Sequence, residues 1–572
     1  MISKAGNLDP QHEWMPWAVM MLGVLAFWVW GGAYTLSPKH IGWVMSGLDT
    51  STHYLGWQFF RDSPLLQWPL GANPAYGTDA PGTIVLSDSI PLLAILLKLI
   101  SPILPAQFQY LGLWAFSCFL LQAWFGYRLL GRLSDDVIVQ LIGTVFFLSA
   151  PIFLLRLYMH PALATQWLLL AGLNLVLDRS FRARMWLLLL WIAVLVQAYL
   201  FVMLAVIWLA DIVQRLLRRE STFSQLVLHI VMAIVGVLLL MWSAGYFVNG
   251  VALTMPRRFY LDLLFPLWTG VRYFGEWSWF MPASDLDTSA YDGFGYFGAG
   301  FIALVLVATV IALMPARYAW GGVVKSIHSS TWIALSVVSA VLLIFALGSK
   351  IYFARQLLFS YPVPGWLDHI YDIFRSHARM MWPVWYMTLL ATFYLLLRRV
   401  PPTYVRWIIV LALLVQLGDL SKAAVNIRAS LAKDRGWHSA LNSPLWPRLA
   451  AQYKHVAYLQ PEGYPAGMVM FMPDYRGVAN FAVSNGMMIS IAYLAREDES
   501  LISKVRAIRV DSLLHGESEP NTFYIIKDDS VWSRLICMPS AGQWLGVIDD
   551  IRILVPKTLI SLSAEPRAVC HE

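Results

Sequence analysis

One polar run could do chemistry in a chain otherwise short of polar residues: Gly47-Leu48-Asp49-Thr50-Ser51-Thr52-His53-Tyr54, followed by Trp57-Gln58-Phe59-Phe60-Arg61. A carboxylate within hydrogen-bond reach of a hydroxyl can take its proton as the oxygen attacks an electrophile. Near a desolvating membrane surface, the pKa of Asp49 could rise toward that task. The competing reading is structural: Asp is a preferred N-cap residue, and a helix is expected from His53 onward. Cations able to meet an anionic leaving group are Arg61, Arg156, His160, Arg257, Arg258, Arg272, Arg375, His377 and Arg379. Arg375 and Arg379 are spaced to share a helix face; interfacial snorkelling is their alternative role. His160 precedes Pro161, as at a first helical turn, where cap packing is the alternative. Further carboxylates are Asp62, Asp79, Asp88, Glu276, Asp285, Asp287 and Asp292, each equally suited to a turn or a cap.

The elements that position these groups are membrane helices. Of 572 residues, 58% are hydrophobic and 13% charged, against roughly 45–50% and about 25% in a soluble protein. With a mean hydropathy of +0.60, too few polar residues exist to cover a soluble surface. A bilayer core needs roughly 20 apolar residues per helix. By that rule the run Trp14–Leu36 is a retained first span, and further spans lie near 107–131, 136–155, 161–178, 224–247, 294–314, 331–348, 379–397 and 404–421. Met185–Leu217 is too long for one upright helix and has arginines at both ends, so a hairpin turning near Gln197-Ala198-Tyr199 is expected, with one long tilted helix as the alternative. Segment 90–104 is short, holds Lys98 and is flanked by prolines, which suits an interfacial or re-entrant helix.

Eleven spans with a cytoplasmic N-terminus follow. The inward loops then carry Arg128 and Arg132; Arg179, Arg182 and Arg184; Arg215, Arg218 and Arg219; Arg317 and Lys325; and Arg398, Arg399 and Arg406. All are basic, as the positive-inside rule requires, and the net charge of +7 needs no nucleic-acid partner. The long loop 37–106, the loops 248–293 and 349–378, and everything after about 421 face outward. The division is thus 1–421 for the membrane domain and 422–572 for an extracytoplasmic α/β domain, with strand-like runs at Gly467–Met472 and Phe523–Lys527 and helical stretches at His438–Tyr453 and Ile502–Ile508. Of three cysteines, Cys118 is in an apolar segment; Cys537 and Cys570 can form at most one bridge, or stay free.

The opening polar run, with an Asp after the first span, a Tyr several residues on and then an amphipathic stretch, resembles the GT-C superfamily of membrane glycosyltransferases. The likeness continues through Ser87-Asp88-Ser89-Ile90-Pro91-Leu92-Leu93, Phe108-Gln109-Tyr110-Leu111-Gly112-Leu113-Trp114, Gly293-Phe294-Gly295-Tyr296-Phe297-Gly298 and Phe374-Arg375-Ser376-His377-Ala378-Arg379. These segments resemble a bacterial family of unknown function grouped with that superfamily, over essentially the whole chain. The resemblance implies a polytopic α-helical protein of GT-C type in a bacterial inner membrane, with its C-terminal domain periplasmic or extracellular. It implies an inverting transfer of a sugar from a polyprenyl-phosphate carrier to an extracytoplasmic glycan or lipid-linked acceptor. Asp49 would be the base, and His53, Tyr54, Arg61, Asp88, His160, Asp292, Arg375 and Arg379 would bind substrate. The sequence establishes no cofactor and leaves a metal requirement open; a divalent cation, if used, would take Asp49, Asp88 or Asp292 as ligands. Trp57, Trp68, Tyr76, Trp277, Trp279 and Tyr291 could stack on sugar faces or serve as membrane-interface aromatics.

No Walker A pattern, dinucleotide fingerprint, HExxH or CxxC pair occurs, which leaves nucleotide-driven pumping, redox cofactors and structural zinc without support. A nucleotide-sugar donor is disfavoured because the acidic candidates face away from the cytoplasm. The alternative function is a transporter or flippase of lipid-linked saccharides. It would need ionisable residues within the spans, where Asp211 and Asp419 are the exceptions to a pattern of one-sided polar loops.

Overall fold

The computed structural model describes residues 14–248, 259–271, 275–283, 288–315, 322–433, 437–537 and 543–556. The chain divides into two compact units. One comprises 1–38, 110–237 and 257–435; the other comprises 39–109, 238–256 and 436–572.

The first unit is helical. Among the described residues of the whole chain, five helices are long and apolar enough to cross a membrane: Ala198–Leu217, Phe223–Ala244, Ser329–Leu347, His377–Arg399 and Pro402–Lys433. A sixth span arises if Val137–Leu148 and Pro151–Leu157, bent by 48°, count as one. The expected count of eleven rested on apolar runs, and several runs are only partly helical. The run from Trp14 is helical over Met15–Val29; Gly31 then turns left-handed at φ 89° and a 3-10 turn follows at Gly32–Tyr34. The 161–178 run is helical only over Trp167–Val176, ten residues that span about 15 Å and are almost wholly buried. Pro151 divides the 136–155 run. Leu111–Gly131 is 21 residues long but carries Gln122, Tyr127 and Arg128, and it falls outside the five. The last helix runs past residue 421 to Lys433.

Met185–Leu217 is two helices, Ala183–Val196 and Ala198–Leu217, packed on each other. Gln197 separates them in an extended conformation, and its side chain accepts from Tyr199 N at 3.0 Å. The buried charged groups Asp211 and Arg215 are fully engaged. Arg215 gives all five N–H donors to Asp211 Oδ1, Arg179 O, Glu220 Oε2, Val176 O and Asp178 O. Asp419 accepts from Ser278 Oγ, from Tyr296 OH at 2.7 Å and from the Ala299 N–H at 3.0 Å, so it caps the helix Ala299–Leu313 from a neighbouring helix.

The second unit is built on a five-stranded sheet in the order Met488–Ile489, His455–Leu459, Thr522–Ile526, Ile551–Val555, Trp544–Ile548. The first three strands are parallel and the last two antiparallel. Asp549 and Asp550 close the final hairpin, both at positive φ, as a two-residue primed turn requires. Helices Glu499–Leu514 and Asp529–Cys537 cover Ala457, Leu459, Tyr524, Ile526 and Leu554. The expected strand at Gly467–Met472 is instead a 3-10 turn, Ala466–Phe471, following Pro465. The expected helix at His438–Tyr453 is confined to Leu445–Gln452, with Pro444 at its start. Cys118 is a free buried thiol and Cys537 is disulfide-bonded; Cys570 lies outside the described residues.

The polar loop 39–109 belongs to this unit and is joined to the sheet. Tyr76 bridges Ile489. The N–H groups of Gly77 and Thr78 donate to Ile489 O, and that of Asp79 donates to Ser490 O. Arg509 clamps Asp79 with two bonds of 2.7 and 2.8 Å.

Candidate functional site

In the helical unit, residues far apart in sequence converge on Asp292. It sits in the 3-10 turn Thr288–Gly293. Arg156, near the end of Pro151–Leu157, donates to its Oδ1 at 2.8 Å. Arg379 donates to both oxygens at 2.9 Å, and Ser376 Oγ to Oδ2 at 2.6 Å. Burial alone would raise the pKa of this carboxyl, but Arg379, Arg156, Ser376 and His160 together hold it well below the ordinary carboxylate range. Its partners therefore favour the charged carboxylate.

The aromatic surroundings suit guanidinium groups. Arg156 lies 5.2 Å from the Tyr291 ring centre and 5.6 Å from that of Trp382; Arg379 lies 4.9 Å from Tyr199. Only 1% of the Arg156 side chain is exposed. Among the described residues its Nη1 is buried without a hydrogen-bond partner. An unsatisfied buried donor on a cation costs more than a neutral one, and an incoming oxyanion would relieve it.

His160, half-buried, is close enough to Asp292 to act on its charge. Arg375 does not share a helix face with Arg379. The preceding helix, Gly365–Ile373, ends at Phe374 (φ −106°, ψ 61°), and a tight 3-10 turn from His377 presents Arg379 alone. His377 is buried, its Nδ1 donating to Ala346 O at 2.9 Å. Arg257, Arg258, Arg272, Asp285 and Asp287 lie outside the described residues. Ser376, Tyr199 and Trp382 were not singled out by sequence reasoning; Ser376 lies between Arg375 and Arg379, where its hydroxyl was the available signal.

In the second unit, Asp49 is the second residue of the helix Leu48–Arg61 and is half-buried. It is not the N-cap: Gly47 is, with no side-chain cap bond. Its charge faces the positive end of the helix dipole, which favours a first-turn carboxylate. His53 and Gly56 lie one and two turns further along the same stripe. Both meet the loop Ser87-Asp88-Ser89. His53 Nδ1 donates to Ser87 O at 2.9 Å, and Ser89 Oγ donates to His53 O at 2.8 Å. A Cβ on Gly56 would stand 2.2 Å from Ser87 Oγ and 2.5 Å from Ser87 Cβ. Asp88 and Ile90 are both held at φ 52°, and a β-branched residue there is strained.

Tyr54 is buried, and burial pushes its phenol up against the opposing influence of Arg61. Arg61 itself is spent. Its five N–H groups go to Ser101 Oγ and to the carbonyls of Ser101, Leu104, Pro105 and Ala106, so it pins that turn and has no donor left for a substrate. As for a metal, among the described residues no three His, Cys, Asp or Glu side chains come together. Asp292, between two guanidiniums, is closed to a cation by charge.

The structure thus defines a helical membrane protein with a buried arginine–aspartate cluster and a mixed-sheet C-terminal region. Residues 20–421 match the family model for the domain of unknown function DUF6311, and 445–556 match the DUF6311 C-terminal domain; the chain belongs to that family. No curated protein and no solved structure matches the chain.

Proposed function

We propose that the protein is an inverting membrane glycosyltransferase of GT-C type. It takes a sugar from a polyprenyl-phosphate carrier and places it on an extracytoplasmic glycan or lipid-linked acceptor. In this reading the chain crosses a bacterial inner membrane eleven times, with the N-terminus cytoplasmic and the C-terminal domain periplasmic or extracellular. The acceptor hydroxyl attacks the anomeric carbon, the bond from that carbon to the phosphate oxygen breaks, and Asp49 takes the hydroxyl proton. The phosphate leaves with the electron pair. It changes from a diester with one charge to a monoester with two, so cationic stabilisation counts most in the transition state.

The observation that carries this reading is the Nη1 of Arg156, buried and without a partner among the described residues, beside Asp292 and Arg379. A carboxylate that fixes two guanidiniums among aromatic rings is suited to present them to a lipid phosphate, and Arg gives the geometry such a group needs. The flippase reading draws less support, because Asp211 and Asp419 are fully buried and bonded and so offer no open path.

Glycan analysis of cells lacking the protein, compared with cells carrying Asp49→Asn or Arg156→Ala, tests the proposal. Loss of one sugar from a surface glycan in all three is expected. Intact glycans in all three would refute the enzyme, and build-up of a complete lipid-linked saccharide would point to the flippase.

A further inference from the structure

We infer that Arg476, in the C-terminal domain, is a positioning residue for Asp49; its catalytic meaning rests on the reading of Asp49 as the base. Asp49 lies three residues beyond the end of the short helix Gly42–Ser46, which ends where Gly47 turns extended (φ −80°, ψ 154°). The last carbonyls of any helix lack intrahelical partners, and here they are met by side chains. Thr50 Oγ1 donates to Val44 O at 2.9 Å. One nitrogen of Arg476, Nη1, donates to Met45 O at 2.7 Å and to Ser46 O at 2.8 Å. These three bonds fix the corner between the two helices, and that corner sets where the Asp49 carboxylate points.

Electrostatics alone would not place Arg476 there. It is half-buried, makes no ion pair among the described residues, and stands next to the positive end of the helix Leu48–Arg61. The carbonyls of Met45 and Ser46, at the negative end of the preceding helix, account for its position. The grip is built on a rigid base. Arg476 belongs to the helix Tyr475–Ser484, which packs on Leu48–Arg61. The neighbouring Tyr475 bonds Ile491 O at 3.1 Å and reaches Tyr76 OH at 3.5 Å. The loop is held a second time at Asp79 by Arg509. The C-terminal domain thus acts as a fixed jig for the first loop.

The test uses the full-length protein in nanodiscs, with Arg476→Ala and Arg476→Gln read by hydrogen exchange and by sugar transfer. Amides of residues 44–51 should exchange at least about tenfold faster, while the strand Thr522–Ile526 keeps its protection and certifies the fold. Turnover should fall by about 10²-fold, the scale of a small misplacement, with donor KM unchanged. Arg476→Lys, which keeps a donor, should restore part of both. Unchanged exchange at 44–51 in both variants overturns the grip. A loosened corner with full turnover overturns the positioning role. Should the wild type transfer no sugar, the glycosyltransferase reading fails while the exchange measurement still decides the grip.

Discussion

Replacing Asp292 by Asn preserves shape and removes the charge that two buried guanidiniums share. The side chains of Arg156 and Asp292 are 1% and 4% exposed, so solvent does not screen this pair. Removing one partner of a buried ion pair costs about 3–5 kcal/mol. Asn retains an acceptor oxygen for Arg156 or Arg379, so about 3 kcal/mol is expected for D292N. Thermal unfolding of the purified chain, followed by tryptophan fluorescence, should show the variant melting well below the wild type at neutral pH. The pH dependence gives an independent check. The native pKa of Asp292 is depressed, so its contribution is complete above the unfolded value of about 4 and is lost as pH falls below that toward the native value. The gap between wild type and D292N should therefore be flat from neutral pH down to about 4 and narrow below. Equal melting at neutral pH, or a gap that widens on acidification, would refute the assignment of Asp292 as the shared anion.

Gly56→Ala should lower the melting temperature although Ala favours helices, because overpacking against Ser87 costs about 1–3 kcal/mol against a propensity gain of about 1 kcal/mol; an equal or higher melting point would show that the loop gives way freely. Asp49→Asn should cut turnover by roughly 10²–10⁴-fold with normal protein levels, and near-normal transfer would make Asp88 the next candidate base. Reporter fusions after Arg219 and Lys325 should read cytoplasm and a fusion at Glu572 the outside; a cytoplasmic C-terminus would remove the eleven-pass topology.

Hydropathy located the helical segments but not their lengths, because it counts apolar side chains rather than backbone hydrogen bonds. Gly31 and Pro151 shorten helices inside runs that hydropathy reads as continuous. The break at Gln197 was readable because a polar residue there interrupts a run with arginines at both ends. The cap at Gly47 was not, since the Thr and Ser residues after Asp49 fit a cap as well as a first turn. Arg375 and Arg379 were paired by spacing, which holds only if the helix is continuous, and Phe374 ends it.

The fate of each candidate arginine turns on partners that sequence does not display. Arg61 and Arg156 look alike as lone cations near apolar segments. Arg61 meets five acceptors in the turn 101–106, some 40 residues away, and nothing in the spacing announces it. Arg215 is consumed in the same way by Asp211, Glu220 and three carbonyls. A guanidinium with all five donors bonded is structural however buried it is, because any ligand must first displace a bond of similar strength. Arg156 differs: it is held by Asp292 through Nη2, and among the described residues its Nη1 is buried and unbonded. That difference marks it as a cation able to gain, rather than exchange, a hydrogen bond when an oxyanion arrives.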